Sequence, residues 1–262
     1  MRPNEGEKNV EARGRVGDRT IEERGTPAYV AEFLGTFLLV LFVCSVVSVN
    51  SEGGLGFSDF AVIGLVHFAV LSLLVYSLGH TSGAHFNPAV TAALTALRKI
   101  TPLDALIYVL VQLAGAVAAA LVTKVLLTDE GDAANYGATT ISEKFLQGKP
   151  LGGVLVEVIG TFVLMWAIMT FAVNPRGLRD WAGLGIGLAL ALPVMVFAPV
   201  DGGSFNPARS FGPAIVSGEF SDFWVYVVGP VIGAVLAAFT YVYLILKPER
   251  RAGKAPIETL PG

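Results

Sequence analysis

The stretches His85-Phe86-Asn87-Pro88-Ala89-Val90 and Ser204-Phe205-Asn206-Pro207-Ala208-Arg209 decide the fold of this chain. In each, an asparagine precedes a proline. Asparagine is a favoured N-cap and proline suits the first helical position, so each stretch predicts the start of a helix. The apolar sequence that follows ends at Arg98 in one copy and at Ser217 in the other. A helix of about ten residues is roughly 15 Å long, half the thickness of a bilayer core.

Composition indicates a membrane protein. The 262 residues are 53% hydrophobic and only 15% charged, whereas about a quarter of the residues of a soluble domain are charged. The net charge of −3 argues against a nucleic-acid partner. Cys44 is the only cysteine, which excludes an intrachain disulfide. The three histidines are not paired at ligand spacing, so we expect no metal site and no cofactor.

Six apolar segments are each about long enough to cross a bilayer as a helix. They lie at residues 28–49, 60–79, 102–127, 151–173, 181–199 and 222–246. The sequence therefore predicts an all-α membrane protein with six transmembrane helices and two re-entrant half-helices. We place the channel-forming domain at residues 27–247. The charged stretches 1–26 and 248–262 are predicted to be solvated, disordered tails.

The charges of the loops predict the orientation. An even number of spans places both termini on one side of the membrane. If that side is cytoplasmic, the inner loops 80–101 and 174–180 carry arginine or lysine, whereas the outer loop 50–59 carries neither. This agrees with the positive-inside rule, so we expect a multi-pass protein of the plasma (cell inner) membrane with both termini in the cytoplasm.

The two halves of the chain repeat each other. Residues 31–37 match residues 156–162, and each repeat, at about 27–127 and 151–246, contains three spans. An odd number of spans inverts the second repeat, so the half-helices enter from opposite faces and their N-termini meet near mid-membrane. A single Asn-Pro pair is most often a turn or an ordinary helix start. Two such pairs in matching places of inverted repeats point to a site there. Irregular backbone at that depth is tolerated only where it is buried in protein or lines a water-filled cavity, and the geometry implies a pore.

The meeting point predicts a pore that rejects cations. Each helix N-terminus carries about half a positive charge, so two of them repel cations and leave neutral molecules unaffected. The carboxamides of Asn87 and Asn206 can donate to a passing oxygen. Water held by both would be turned so that its neighbours cannot form an unbroken proton-conducting chain.

Residues 82–91 and 203–213 together resemble the paired signature of the aquaporin, or major intrinsic protein, family, in its water-type branch. The resemblance covers about residues 27–247. It implies a homotetramer in the lipid bilayer, with a separate pore in each subunit. It also implies that the pore is lined by the two Asn-Pro-Ala (NPA) motifs, Asn87, Pro88, Ala89, Asn206, Pro207 and Ala208.

The resemblance also implies a selectivity filter. Counted from these motifs, its positions fall on His67, Val194, Gly203 and Arg209. Without the resemblance, His67 would be interpreted as a packing residue and Arg209 as a charge extending to the membrane surface. The strictly water-selective pattern has an aromatic residue at the first position and histidine at the second. Val194 and Gly203 are small, so we expect a wider filter. The set resembles certain plant vacuolar-type aquaporins, which implies passage of water and small neutral solutes such as ammonia.

Four further polar residues are assigned by position and resemblance. Glu32 and Glu157 are the carboxylates deep in the first and fourth spans. They either brace the re-entrant loops by accepting backbone hydrogen bonds, which we favour, or relay protons as in transporters. The resemblance places His80 and His85 near the cytoplasmic vestibule as loop-bracing or lining groups.

The sequence therefore predicts a passive channel for water and small uncharged solutes such as ammonia. A glycerol or small-polyol facilitator is the alternative, disfavoured because Ser210 stands where that branch has an aspartate. A secondary transporter is less favoured, since no coupling-ion site is evident, and a non-conducting structural membrane protein is a further alternative. No nucleophile–base pair is evident, so we do not expect an enzyme.

Overall fold

The computed structural model describes residues 24–51 and 55–248, and in these ranges the fold is entirely helical. Six helices are long and apolar enough to cross a membrane, which confirms the predicted all-α transmembrane architecture. These spans lie at Thr26–Asn50, Ser58–Ser82, Pro102–Leu126, Pro150–Val173, Arg179–Asp201 and Val225–Leu246. Residues 1–23 and 249–262, where most of the two predicted tails fall, lie outside the described residues.

The helices are numbered in chain order. The first half contains α1 (Thr26–Asn50), α2 (Phe57–Ser82), α3 (Pro88–Ala96) and α4 (Pro102–Leu126). The connection between the halves contains the short helices α5 (Thr128–Ala133) and α6 (Glu143–Leu146). The second half contains α7 (Pro150–Ile168), α8 (Ala182–Asp201), α9 (Pro207–Ser217) and α10 (Val225–Tyr241).

The two half-helices begin where the Asn-Pro pairs predict. The side-chain oxygen of Asn87 accepts a hydrogen bond from the backbone N–H of Ala89 at 2.9 Å, and Asn206 accepts one from Ala208 at 3.0 Å. Each cap satisfies an N–H group that has no partner within the helix. With 9 and 11 residues, α3 and α9 are too short to span a bilayer.

Glycines allow the equivalent helices of the two halves to pack closely. A Cβ atom at Gly115 of α4 would overlap the backbone of α1 at Phe33, and one at Gly233 of α10 would overlap α7 at Val158. Small residues at such positions let helix backbones approach each other in a membrane. The two halves therefore share a packing pattern as well as a sequence pattern.

The element boundaries differ slightly from those predicted. The first helix already begins at Thr26, inside the predicted tail, and the backbone N–H of Arg24 donates to Asp104 at 3.2 Å. The last span begins at Val225 rather than at 222, because residues 221–224 form turns. Hydropathy alone does not locate such ends, since turns next to a span can be equally apolar.

Candidate pore and selectivity filter

The two re-entrant loops meet through their asparagines. Asn87 Nδ2 donates to the backbone oxygen of Phe205, and Asn206 Nδ2 donates to that of Phe86, both at 2.8 Å. A carboxamide has two N–H donors, so each asparagine keeps a second N–H after bonding to the opposite loop. The N-termini of α3 and α9 therefore lie together, with one asparagine donor from each available to a permeating molecule.

The loops have a strained backbone held by packing. Ala84 and Phe86 in the first loop have φ values of 51° and 47°, and Phe205 in the second has 55°. Non-glycine residues rarely adopt positive φ, and such conformations persist where surrounding structure imposes them. Both phenylalanine rings are fully buried. Each ring lies against a glycine of the neighbouring span, Gly35 or Gly160, where a Cβ atom would overlap it.

Buried carboxylates brace both loops. Glu32 accepts hydrogen bonds from the backbone N–H groups of His85 at 2.9 Å and Phe86 at 2.7 Å. Glu157 accepts the equivalent bonds from Ser204 at 2.8 Å and Phe205 at 2.7 Å. These N–H groups precede the half-helices and have no helical partners. These four hydrogen bonds have the geometry that the predicted loop-bracing role of the two glutamates requires.

Three cavities follow one another through the molecule. A cavity of about 410 Å³ is lined by Arg209, Gly202 and Ala198, among others. A central one of about 20 Å³ is lined by both asparagines, and a third of about 530 Å³ by His80, His85 and Arg179, among others. The central volume suffices for about one water molecule. The path is therefore wide at both ends and narrow at the asparagines.

His67 and Val194 lie between the first and the central cavity. On α2, Ile63 lines the first cavity and Leu71 the central one, and His67 is one helical turn from each. On α8, Val194 is placed in the same way between Ala198 and Leu190. Residues four apart share one face of a helix, so both residues lie on the faces of α2 and α8 that also carry lining residues of the two cavities.

The hydrogen bond from His67 to a backbone carbonyl fixes which ring nitrogen carries the proton. Nδ1 lies 2.8 Å from the backbone oxygen of Ile63, and a carbonyl oxygen can only accept, so Nδ1 must hold a hydrogen. The ring is 2% exposed and close enough to interact electrostatically with Arg209. A second buried charge beside a guanidinium is costly, which favours the neutral ring. Nε2 is buried, has no partner in the part of the chain that the structure describes, and is then a hydrogen-bond acceptor.

Arg209 brings hydrogen-bond donors to the first cavity, which it lines. Its Nη1 donates to the backbone oxygen of Gly137 at 2.6 Å, which fixes the guanidinium, and its buried Nε has no partner among the described residues. Gly203, with a φ of 58°, lies in the same loop, and a Cβ there would be 3.1 Å from Ala198. The position therefore favours glycine for both conformational and steric reasons.

The two predicted vestibule histidines occupy different environments. His85 is buried, and its Nδ1 lies 3.0 Å from Thr91 Oγ1. His80 is exposed and lines the wide third cavity. The contacts of His85 suit a loop-bracing group, whereas the position of His80 suits a group that lines the third cavity.

Sequence reasoning missed several residues that shape this site. Gly137, whose carbonyl holds Arg209, lies in the connection between the halves and carries no motif. Tyr108 and Tyr226 donate their hydroxyls to the backbone oxygens of Ser82 and Asp201, at 2.8 and 2.7 Å. These two tyrosines occupy equivalent positions in the repeats, so a fuller alignment of the halves would have identified them.

Comparison with known proteins places the chain among membrane channels. The family described as Major intrinsic protein matches residues 22–241. Aquaporin NIP1-1 of Zea mays is 37% identical, with 86% of this chain and 78% of that protein covered. Nodulin-26 of Glycine max is 38% identical, covering 81% and 75%. Glycerol uptake facilitator protein-like 6 of Lactiplantibacillus plantarum is 39% identical, covering 80% and 94%.

A solved structure has the same fold. The X-ray structure of the aquaglyceroporin from Plasmodium falciparum superposes with a TM-score of 0.72 at 20% sequence identity. The match covers 86% of this chain and 98% of that one. It shows a shared fold.

Proposed function

This chain belongs to the major intrinsic protein family, and we propose that it is a passive channel for water and for small neutral solutes such as ammonia. One observation carries the proposal: the N-termini of α3 and α9 meet at the narrow centre of a path that has wide cavities at both ends. Both helix dipoles have their positive ends at this centre and therefore oppose cations there, while the two asparagines offer donors to a neutral molecule.

We assign the selectivity filter to His67, Val194, Gly203 and Arg209. In this filter, Arg209 donates hydrogen bonds and His67 Nε2 accepts them. A molecule that both donates and accepts, such as water or ammonia, can bond to the two sides at once. Valine and glycine at the other two positions add no polar group and leave room.

A glycerol channel is the second candidate. It is favoured by the similarity to a protein named as a glycerol uptake facilitator and by the fold shared with an aquaglyceroporin. Against it, Ser210 takes the place of the aspartate of the glycerol branch. Its hydroxyl is engaged with Ser204 at 2.6 Å and Thr139 at 2.7 Å.

The test is stopped-flow light scattering on proteoliposomes, with water and glycerol gradients and an internal pH dye for ammonia. We expect fast water flux with a low activation energy, ammonia uptake and little glycerol flux. Rates should follow the gradient without saturation and should not depend on sodium or proton gradients. Glycerol flux comparable to that of water would favour the second candidate. Flux no greater than in empty liposomes would exclude an open channel.

We also propose that both termini are cytoplasmic and that four copies assemble in the membrane. The proposed orientation rests on the loop charges. The proposed number of copies rests on the family to which the chain belongs. Labelling of single cysteines introduced near the termini tests the orientation, and native mass spectrometry tests the number of copies.

We predict that His67→Phe lowers ammonia flux relative to water flux. The change removes the acceptor Nε2, so both permeants lose a partner, but it also supplies the aromatic residue that the strictly water-selective pattern has at this position, so the larger loss should fall on ammonia. An unmet hydrogen bond costs about 1–3 kcal/mol, so ammonia flux should fall by roughly 5- to 150-fold. The two fluxes are measured on the same proteoliposomes.

His67→Gln is the matched control, since glutamine retains an acceptor and should preserve more of the ammonia flux. An unchanged ratio in His67→Phe would place His67 outside the filter.

A further inference from the structure

The two pore loops are held by matching contacts, except that the first half has Ser82 where the second has Asp201. These residues are 119 positions apart, as are the two pore asparagines. Ser82 Oγ accepts the backbone N–H of Ala84 at 3.0 Å, and Asp201 Oδ1 accepts that of Gly203, also at 3.0 Å. In both halves a tyrosine hydroxyl bonds to the backbone oxygen of the residue. Ser82 and Asp201 are therefore structural equivalents.

The two bracing glutamates differ in their side-chain donors. Glu32 accepts from Ser82 Oγ at 2.6 Å and from Gln112 Nε2 at 2.8 Å, in addition to the two backbone bonds. For Glu157, the residue equivalent to Gln112 is Pro230, which has no donor, and the equivalent of the serine is Asp201. Among the described residues, Asp201 Oδ2 is buried and has no hydrogen-bond partner.

The charges around Glu157 and Asp201 do not balance if both are ionised. Both side chains are 0% exposed, and Asp201 stands where, in the first half, Ser82 bonds to the bracing glutamate. The groups facing them are the Arg209 guanidinium and the Tyr226 hydroxyl, and the Ser204, Ser210 and Thr139 hydroxyls lie nearby. Two carboxylates beside one guanidinium would leave an uncompensated buried charge, which is costly. One proton on the pair restores neutrality.

We propose that Asp201 and Glu157 share one proton, so that the Asp201 carboxylic acid donates to Glu157 as the Ser82 hydroxyl donates to Glu32. Asp201 is then a positioning residue for the second pore loop. It holds the N–H of Gly203 directly and, through Glu157, those of Ser204 and Phe205.

This brace differs from that of the first half because its donor can titrate. If the proton is lost to solvent as the pH rises, the hydrogen bond is lost and two adjacent carboxylates repel each other. The loop that carries Gly203, Asn206 and Arg209 then loses its support. We therefore expect water flux to be full at lower pH and to fall as the pH increases.

Infrared spectroscopy tests the shared proton directly. The wild-type protein at neutral pH should show the carbonyl stretch of a protonated carboxylic acid, and this band should be lost in Asp201→Asn and Asp201→Ser. Glu219→Gln is the control. Hydrogen bonds from the Ser221 side chain and backbone lower the pKa of Glu219, so this partly exposed carboxyl is ionised and its removal should leave the band intact. A wild-type spectrum without an Asp201-dependent band would overturn the proposal.

The pH profile of water flux tests the consequence for the pore. The pH dependence should be lost in Asp201→Ser, which copies the first half, and in Asp201→Asn, whose amide donates without titrating. Parallel profiles in all three proteins would contradict a positioning role. If neither variant folds, the wild-type band must still fade over the pH range in which flux falls. The flux readout rests on the proposed channel function but the infrared band does not, so an intact band without flux would reject only the channel.

Discussion

Replacing Arg209 with valine is expected to abolish the selectivity of the filter. Arg209 is 3% exposed, lines the first cavity and is fixed by the Gly137 carbonyl. A unit charge about 4 Å from a passing cation contributes a barrier of about 4 kcal/mol at an effective dielectric constant of ~20, roughly a thousandfold in rate. Valine is also much smaller. We therefore expect Arg209→Val to admit glycerol and urea and to leak cations, measured by stopped-flow and by ion-sensitive dyes.

The control removes an equivalent charge from the other mouth. Arg179 is exposed and lines the wide third cavity, so Arg179→Val should leave the ratio of glycerol to water flux unchanged. Arg209→Gln separates charge from size, since it keeps a donor and should leak cations while widening the path less. Unaltered selectivity in Arg209→Val would place Arg209 outside the filter.

Adding a single methyl group at Gly160 is expected to displace the second pore loop. The Cβ atom of Gly160→Ala would overlap the ring of Phe205. This residue is fully buried and its backbone has a positive φ. Overpacking of this kind typically costs about 1–3 kcal/mol. We expect a lower unfolding temperature in detergent and a loss of water flux, because the backbone oxygen of Phe205 also holds Asn87. Gly35→Ala should act in the same way on Phe86 and the first loop.

Gly79→Ala is the matched control for both changes. Gly79 lies within α2, and a Cβ there would make ordinary contacts, 4.0 Å from Ala84 and Val75. Alanine is favoured over glycine in a helix by about 1 kcal/mol, so this variant should keep or raise the unfolding temperature. Equal stability of Gly160→Ala and Gly79→Ala would show that the Phe205 ring can move aside.

The filter was only partly predictable from the sequence. The four proposed positions were carried over from the family resemblance by their distances to the Asn-Pro pairs, and their assignment stays a proposal. The state of the His67 ring could not be predicted, because it depends on the carbonyl of Ile63 and on a guanidinium 142 positions away. The partner of Arg209 was equally hidden, since Gly137 lies in an irregular connection without a motif.

The sequence by itself determined the six spans, the two half-helices and their opposite entry. Apolar length and the Asn-Pro cap act within a few residues, and the parity of the spans needs only counting. The sequence also pointed to Glu32 and Glu157 as groups that hold the loops, whereas only the tertiary structure decided the other contacts that do so. Phe205 and Phe86 hold the asparagines of the opposite loop, and Asp201 takes the place of Ser82 beside a buried glutamate. Such contacts join residues that are distant in the chain, and they form only when the packed helices exclude water and leave each buried polar group to find a protein partner.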